Sequence, residues 1–209
     1  HPRVRRQRQM CIRDRQHCVI AMMLYAKYKT RNLQGVLGPG GAGSSPATTT
    51  GSSNATGGAD TKNESSKYVC GLGLEGVFGG ICEWVEGVEI NNRVWKITDP
   101  DGSTRNVNAE TFSGWIINIA AENGPFFDVV PTQVGGSDST HYSDYYSRTS
   151  DSSLVLARSG YRSYPTGGVA YTDAAYDASD MDSSYGSRLA FHGTISELAP
   201  RQFKRLPVL

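Results

Sequence analysis

A chain of 209 residues, 38% hydrophobic and 20% charged, can bury one mid-sized core, so a single domain is the expectation. Twenty-four Gly and eleven Tyr against four Met and six Phe point away from a helical bundle and towards a loop-rich, strand-containing protein with a polar, aromatic surface. The net charge of +1 and the absence of any apolar run of about 18 residues exclude an overall polybasic nucleic-acid binder and a membrane-spanning helix as expectations.

The charge is uneven. Residues 1–15 (HPRVRRQRQMCIRDR) carry six Arg and one Asp, a local +5, which leaves about −4 for the remainder. The arm has neither interleaved aromatic residues nor a periodic apolar face, so a nucleic-acid or membrane role is not expected of it. It reads instead as translated sequencing-adaptor read-through of the kind found at the ends of metagenomic reading frames. On that reading it stands outside the fold and the natural N-terminus is missing.

Residues 16–38 open with the apolar run Cys18 to Tyr25, too short to cross a bilayer, and predict a helix that stops near Thr30 to Asn32. From residue 39 to 67 nearly every position is Gly, Ser, Thr, Ala, Asn, Asp or Pro, which predicts a flexible surface loop. Order resumes over 68–195. Tyr68 to Val88 is expected to hold a helical turn leading into a strand around Trp84. Arg93 to Thr98 alternates, Asp99-Pro100-Asp101-Gly102 supplies turn chemistry, and Ser103 to Val107 returns, which predicts a hairpin. A strand is expected at Gly114 to Ala120. Leu154 to Ala157, Val169-Ala170 and Leu189 to Phe191 are candidate core strands beneath polar loops. Residues 196–209 form an uninformative tail.

Several motifs suggest chemistry and fail on context. Gly71-Leu72-Gly73-Leu74-Glu75-Gly76 matches G-x-G-x-x-G, but a dinucleotide-binding helix would have to run through Gly79-Gly80, at about 1 kcal/mol for each Gly. Asp99 to Gly102 lacks the further acidic ligands of a calcium loop. Ser137 to His141 contains Ser, Asp and His but no nucleophile elbow. Cys11, Cys18, Cys70 and Cys82 match no zinc spacing, and buried free thiols are preferred to a Cys70–Cys82 pairing. No metal, cofactor or catalytic residue is expected. The Tyr-, Ser-, Asp- and Gly-rich stretch from 135 to 185 holds eight of the eleven Tyr. Tyr offers a large amphipathic contact at low entropic cost, and Ser, Asp and Gly offer adaptable hydrogen bonds, the chemistry of a recognition surface.

Leu72 to Val88 (LGLEGVFGGICEWVEGV) resembles a segment of the C-type-lectin-like proteins that include formylglycine-generating enzymes and the retroelement-diversified receptor-binding proteins of phage tail fibres. Ala157 to Gly160 resembles that superfamily's R-G-G-x-W strand, and Gly186 to Phe191 its closing G-[FS]-R-L strand. Gly135 to Tyr142 and Gly167 to Tyr171 are similar to stretches of gut-phage proteins of this type. The resemblance covers residues 20–195 and implies an α+β fold of C-type-lectin type, loop-rich, with short antiparallel strands and one or two short helices. It gives Trp84, the glycines and Arg188 to the scaffold. It implies a ligand face containing Tyr161, Arg162, Tyr164, Tyr171, Asp173, Tyr176, Asp177, Asp180 and Tyr185, with Tyr142 and Tyr145 at its margin. The copper-holding cysteine pair of the enzymes is missing after Cys82, only His141 and His192 follow position 17, and the E-P-N and W-N-D signatures of calcium lectins are absent. The implied protein is thus a non-catalytic virion or extracellular domain. Its partners would be a host-cell surface protein or glycan and other virion proteins, with no nucleic acid and no membrane insertion. By analogy with tail fibres it would be a homotrimer. The alternatives are a metal-dependent oxidase of the formylglycine-generating type and a structural surface protein.

Overall fold

The apolar run at Cys18 to Tyr25 lies within a helix, α1 (Asp14–Tyr28), in the computed structural model, which describes residues 12–40, 60, 69–122, 126–149, 154–160, 166–177, 179–180 and 184–187. α1 ends where Lys29 turns left-handed (φ 53°) and donates its N–H to the Tyr25 carbonyl. Asn32 then caps a short second helix, α2 (Leu33–Leu37), by accepting the Gly35 N–H at 2.7 Å. The break falls at the predicted place. Cys18, Ala21 and Leu24 are buried while Val19, Met22 and Met23 stay exposed, so α1 is apolar around its circumference rather than amphipathic.

The helical turn expected within 68–88 is instead a hairpin. Leu72 (φ 57°) and Gly73 (φ 75°) join β2 (Cys70–Gly71) to β3 (Leu74–Glu75), with the positive φ at both central residues that a type I′ turn requires. The G-x-G-x-x-G match is therefore turn chemistry. Asp60, in the stretch predicted as a flexible loop, holds this turn to α1. Its carboxylate accepts the Leu72 N–H at 2.8 Å and pairs with Lys27 at 2.5 Å.

The remaining strands are β1 (Ile12–Arg13), β4 (Cys82–Asn91), β5 (Val94–Thr98), β6 (Thr104–Asn108), β7 (Gly114–Ile119), β8 (Pro131–Val134), β9 (Tyr145–Arg148), β10 (Leu154–Arg158), β11 (Thr172–Ala174) and β12 (Tyr185–Gly186). Ten strands make one curled sheet in the order β6-β5-β4-β10-β11-β9-β7-β8, with β1 and β12 added in parallel to β4. The protein is thus mixed α+β, mostly strand, with two short helices among the described residues. The predicted 93–107 hairpin forms as β5 and β6, closed by the Gly102 N–H to the Asp99 carbonyl at 2.9 Å. Asp99 is held by Arg105, which also reaches Asp128 at 2.7 Å. Val169 and Ala170 are fully buried but form no strand, because the Ala170 N–H goes to the Asp144 side chain instead of a ladder partner. Leu189 to Phe191, Arg188 and the tail lie outside the described residues. No helix among those described is long and apolar enough to cross a membrane. Cys18, Cys70 and Cys82 are buried and form no disulfide among the described residues.

The main core lies between the helices and one face of the sheet. Leu24, Leu33 and Leu37 pack in one cluster with Val88, Ile90, Trp95, Ile116, Tyr146 and Leu156. Trp95 is fully buried, and its indole N–H donates to the Pro131 carbonyl at 2.9 Å. A register shift between β4 and β10, beside Gly87 (φ 93°), changes the parity of β4. Val88 and Ile90 enter the main core, whereas Cys82 and Trp84 join Ala157 on the opposite face.

Arg158 ties helix to sheet. It is fully buried and donates to Asp14 from Nη2 at 2.7 Å and from Nε at 3.1 Å. Nη1 donates to the Val129 carbonyl and to the Thr172 hydroxyl, the latter at 2.8 Å. Burial alone would raise the Asp14 carboxyl, but the adjacent guanidinium outweighs it and holds the group below the usual carboxylate range. His17, one turn on, is 2.8 Å from the Val169 carbonyl. Asp14 belongs to the stretch 1–15 that the sequence sets outside the fold; in the structure it is the buried counter-ion of β10. Arg158→Met should strand a buried carboxylate and lower unfolding free energy in urea by about 3–5 kcal/mol, and adding Asp14→Leu should restore a measurable part.

Candidate functional site

The sheet face turned away from the helices carries a second, smaller cluster. Alternation along each strand builds it: Cys82 and Trp84 from β4, Ala157 from β10, Asp173 from β11 with Tyr171 just before it, Tyr145 from β9 and Tyr185 from β12. These segments are distant in sequence and meet because β10 and β12 both pair with β4, while β11 bridges β10 and β9.

The rings form a row. Trp84 stacks on Tyr185 with centroids 4.9 Å apart and planes 24° apart, and Tyr176 meets Tyr185 edge-on at 5.1 Å. Tyr176 ends the row and is 39% exposed, whereas Tyr171 and Asp173 are 4% exposed. Trp115 and Tyr145 make a further edge-on pair at 5.5 Å.

Asp173 organises the row from beneath. Its Oδ2 accepts the Tyr185 hydroxyl at 2.6 Å and the Tyr171 hydroxyl at 3.3 Å, and its Oδ1 accepts the Ala175 N–H at 3.0 Å. Burial raises its carboxyl, opposed by those three donated hydrogen bonds. The same contact raises the Tyr185 hydroxyl through burial and the neighbouring carboxylate. Tyr176 is followed by a tight turn in which the Asp177 N–H donates to Asp180 Oδ2 at 2.8 Å and the Ser179 N–H to Asp177 Oδ1 at 2.6 Å. Both aspartates are exposed.

Of the predicted face, then, Tyr171, Asp173, Tyr176 and Tyr185 come together, and Asp177 and Asp180 form the turn beside them. Tyr171 and Asp173 support the surface from below. Tyr161, Arg162 and Tyr164 lie outside the described residues. The two ends of that segment meet: a Cβ on Gly160 (φ 63°) would stand 2.3 Å from the Gly167 Cα, so only glycines allow the two backbones this close. Tyr142 is in the main core, donating its hydroxyl to Glu122 at 2.5 Å, and Tyr145 lies within the second cluster. Sequence reasoning gave Trp84 to the scaffold, whereas its ring stacks on Tyr185 in the row. The alternation Cys82-Glu83-Trp84 was the available signal.

His141 is exposed at a left-handed turn (φ 54°), and the Ser137 hydroxyl is engaged with Ser139 and Thr140. Burial pushes the Cys18 thiol up to about 12, away from thiolate chemistry.

Beneath the Gly167 to Tyr171 loop sits Asp144, 1% exposed, accepting the Ala170 N–H at 2.8 Å and the Gln34 amide at 2.7 Å. Gly168 is required above it, since a Cβ there would come within 2.1 Å of the carboxylate. Burial, only partly offset by these donors and the Gly168 N–H, pushes the Asp144 carboxyl up to about 7. The folded chain therefore holds a proton that the unfolded chain releases between about 4 and 7. Wild-type stability at this site is greatest when Asp144 is protonated and falls as pH rises through that window. Measured by urea unfolding, Asp144→Asn should gain on wild type as pH rises from 4 to 7, by up to about 4 kcal/mol, and the difference should level off above 7.

No family model, curated protein or solved structure matches the chain.

Proposed function

We propose that this chain is a non-catalytic ligand-binding domain of C-type-lectin-like fold, carried on a phage tail fibre or a similar virion or extracellular appendage. It recognises a host-cell surface protein or glycan. The observation that carries the reading is the aromatic row Trp84, Tyr185 and Tyr176, which leaves the main core, is braced by buried Asp173 and ends in exposed Tyr176. An aromatic surface held rigid by its own stacking loses little entropy on binding, which suits recognition rather than catalysis. The resemblance of 72–88 and 157–160 to the C-type-lectin-like superfamily, which includes receptor-binding proteins, supports the same face, because those segments contain the first part of β4 and the end of β10, whose side chains help build it.

The test is adsorption of the purified chain to a panel of bacterial strains. Tyr176→Ala should reduce adsorption to a responsive strain by about tenfold or more, as truncating an aromatic anchor does, with an unchanged thermal unfolding midpoint. Undiminished adsorption would overturn the proposed face.

A further inference from the structure

We infer that Asp144 and His17 form a latch that holds the Gly168 to Ala170 loop closed behind the aromatic face, and that deprotonation of Asp144 loosens it. The device needs no bound ligand, so it stands apart from the receptor-binding reading.

Buried side chains from outside the loop grip three consecutive residues of it. The Ala170 N–H donates to Asp144 Oδ2 at 2.8 Å, the Gly168 N–H reaches the same carboxyl, and the Val169 carbonyl lies 2.8 Å from His17 Nε2 on α1. His17 is 3% exposed and Asp144 1%. These residues precede β11, so side chains do here what a ladder partner does within a strand. At the start of the loop the Thr166 carbonyl accepts the Tyr145 N–H at 3.0 Å, and at its end the Tyr171 N–H returns to the Gly168 carbonyl at 3.1 Å. Val169 and Ala170 belong to the main core and Tyr171 to the second cluster, where its hydroxyl donates to Asp173 beside that of Tyr185. The loop is thus the joint between the core and the base of the aromatic row.

Asp144 is the part of the latch that pH reaches. Around its carboxyl stand the Gln34 amide from α2, Tyr25 from α1 and Tyr142 from its own loop, while β7 brings no titratable side chain. Both tyrosine hydroxyls are raised, in part by Asp144, and stay neutral at and below neutral pH. Among the described residues no Lys, Arg or His forms an ion pair with Asp144; the nearby Arg158 and Arg31 engage Asp14 and Glu122. His17 can offer an Nε2–H to Val169 both as the imidazolium and as a neutral tautomer, so its contact does not oppose the effect of Asp144. An ionised Asp144 is a buried negative charge with N–H donors and no counter-ion, and burial pushes the group up to about 7. Opening the loop brings the carboxyl into water, where it returns towards 3.8 and releases its proton. The closed loop is therefore most favoured below about 4 and progressively less so as pH rises to about 7.

The measurement is amide hydrogen exchange on the full isotope-labelled chain, followed by NMR from about pH 4.5 to about pH 6.5 and corrected for the intrinsic rate of each amide. The opening constants read from the Gly168, Ala170 and Tyr171 amides should rise about tenfold per pH unit, because opening releases one proton. These amides should be at least about tenfold less protected than those bonded between β4 and β5, as a local opening requires. In Asp144→Asn the same opening constants should change by less than about twofold over the range. A flat profile in the wild type would overturn the inference, as would an undiminished slope in Asp144→Asn. Equal protection of the loop and β4–β5 amides would mean that the titration acts on the whole fold, and the latch would be wrong. Should Asp144→Asn fail to fold, the carboxyl carbon shift of Asp144 in the wild type decides: a midpoint near 7 supports the latch and one near 4 overturns it.

Discussion

The buried pair between Arg158 and Asp14 is the constraint around which the molecule is arranged. An arginine with no solvent exposure is tolerable only if every donor finds an acceptor, and here Asp14, the Val129 carbonyl and Thr172 supply them. Those acceptors come from α1, the segment before β8, and β11. One side chain of β10 thereby fixes the helix against the sheet and sets the rotation of α1 about its axis. That rotation is not set by amphipathicity, since α1 is apolar on both sides. The ion pair specifies an orientation that hydrophobic burial alone leaves open.

The same strand then divides the two faces of the sheet. Leu154, Leu156 and Arg158 point to the helices, and Ala157 points to the second cluster. Ala157 is small, which leaves room for Trp84, Tyr171 and Tyr185 to meet above it. The irregularity between Val155 and Ala157, opposite Gly87, lets β4 supply the main core with Val88 and Ile90 and the aromatic face with Cys82 and Trp84. Main core and aromatic face share strands without sharing side chains. Substitutions at the exposed end of the row can therefore change its contacts without passing through the main core.

Turns and strands with local signals were legible. Asp99 to Gly102 was readable as a turn because Pro and Gly restrict the backbone at fixed offsets, and the strand at Gly114 was readable from its composition. The helix end near residue 30 was readable from the change in apolar pattern. What misled was composition without context. The stretch 68–88 read as a helical turn leading into a strand, yet two of its glycines serve a hairpin and a close backbone contact, Gly73 at positive φ and Gly79 against Pro39 and Gly40. Of the site, the concentration of Tyr was legible but its placement was not, since Tyr142, Tyr146 and Tyr171 are buried, Tyr145 and Tyr185 half-buried and Tyr176 exposed. Tyr171 and Tyr176 are five positions apart in similar sequence, and one is buried while the other is exposed.

By itself the sequence determined that the chain mixes strands with a short helix, that its turns fall where Gly, Pro, Asn and Asp cluster, and that its aromatic and acidic chemistry concentrates between residues 135 and 185. Each of these follows from backbone restriction or side-chain chemistry acting within a few residues. Tertiary structure alone decided that Asp14 neutralises Arg158 across 144 positions, that Trp84 meets Tyr185, and that Asp173 turns two tyrosine hydroxyls inwards. Those pairings depend on which strands lie side by side, and strand order is fixed by the burial of the whole core, a quantity that no local window of sequence contains.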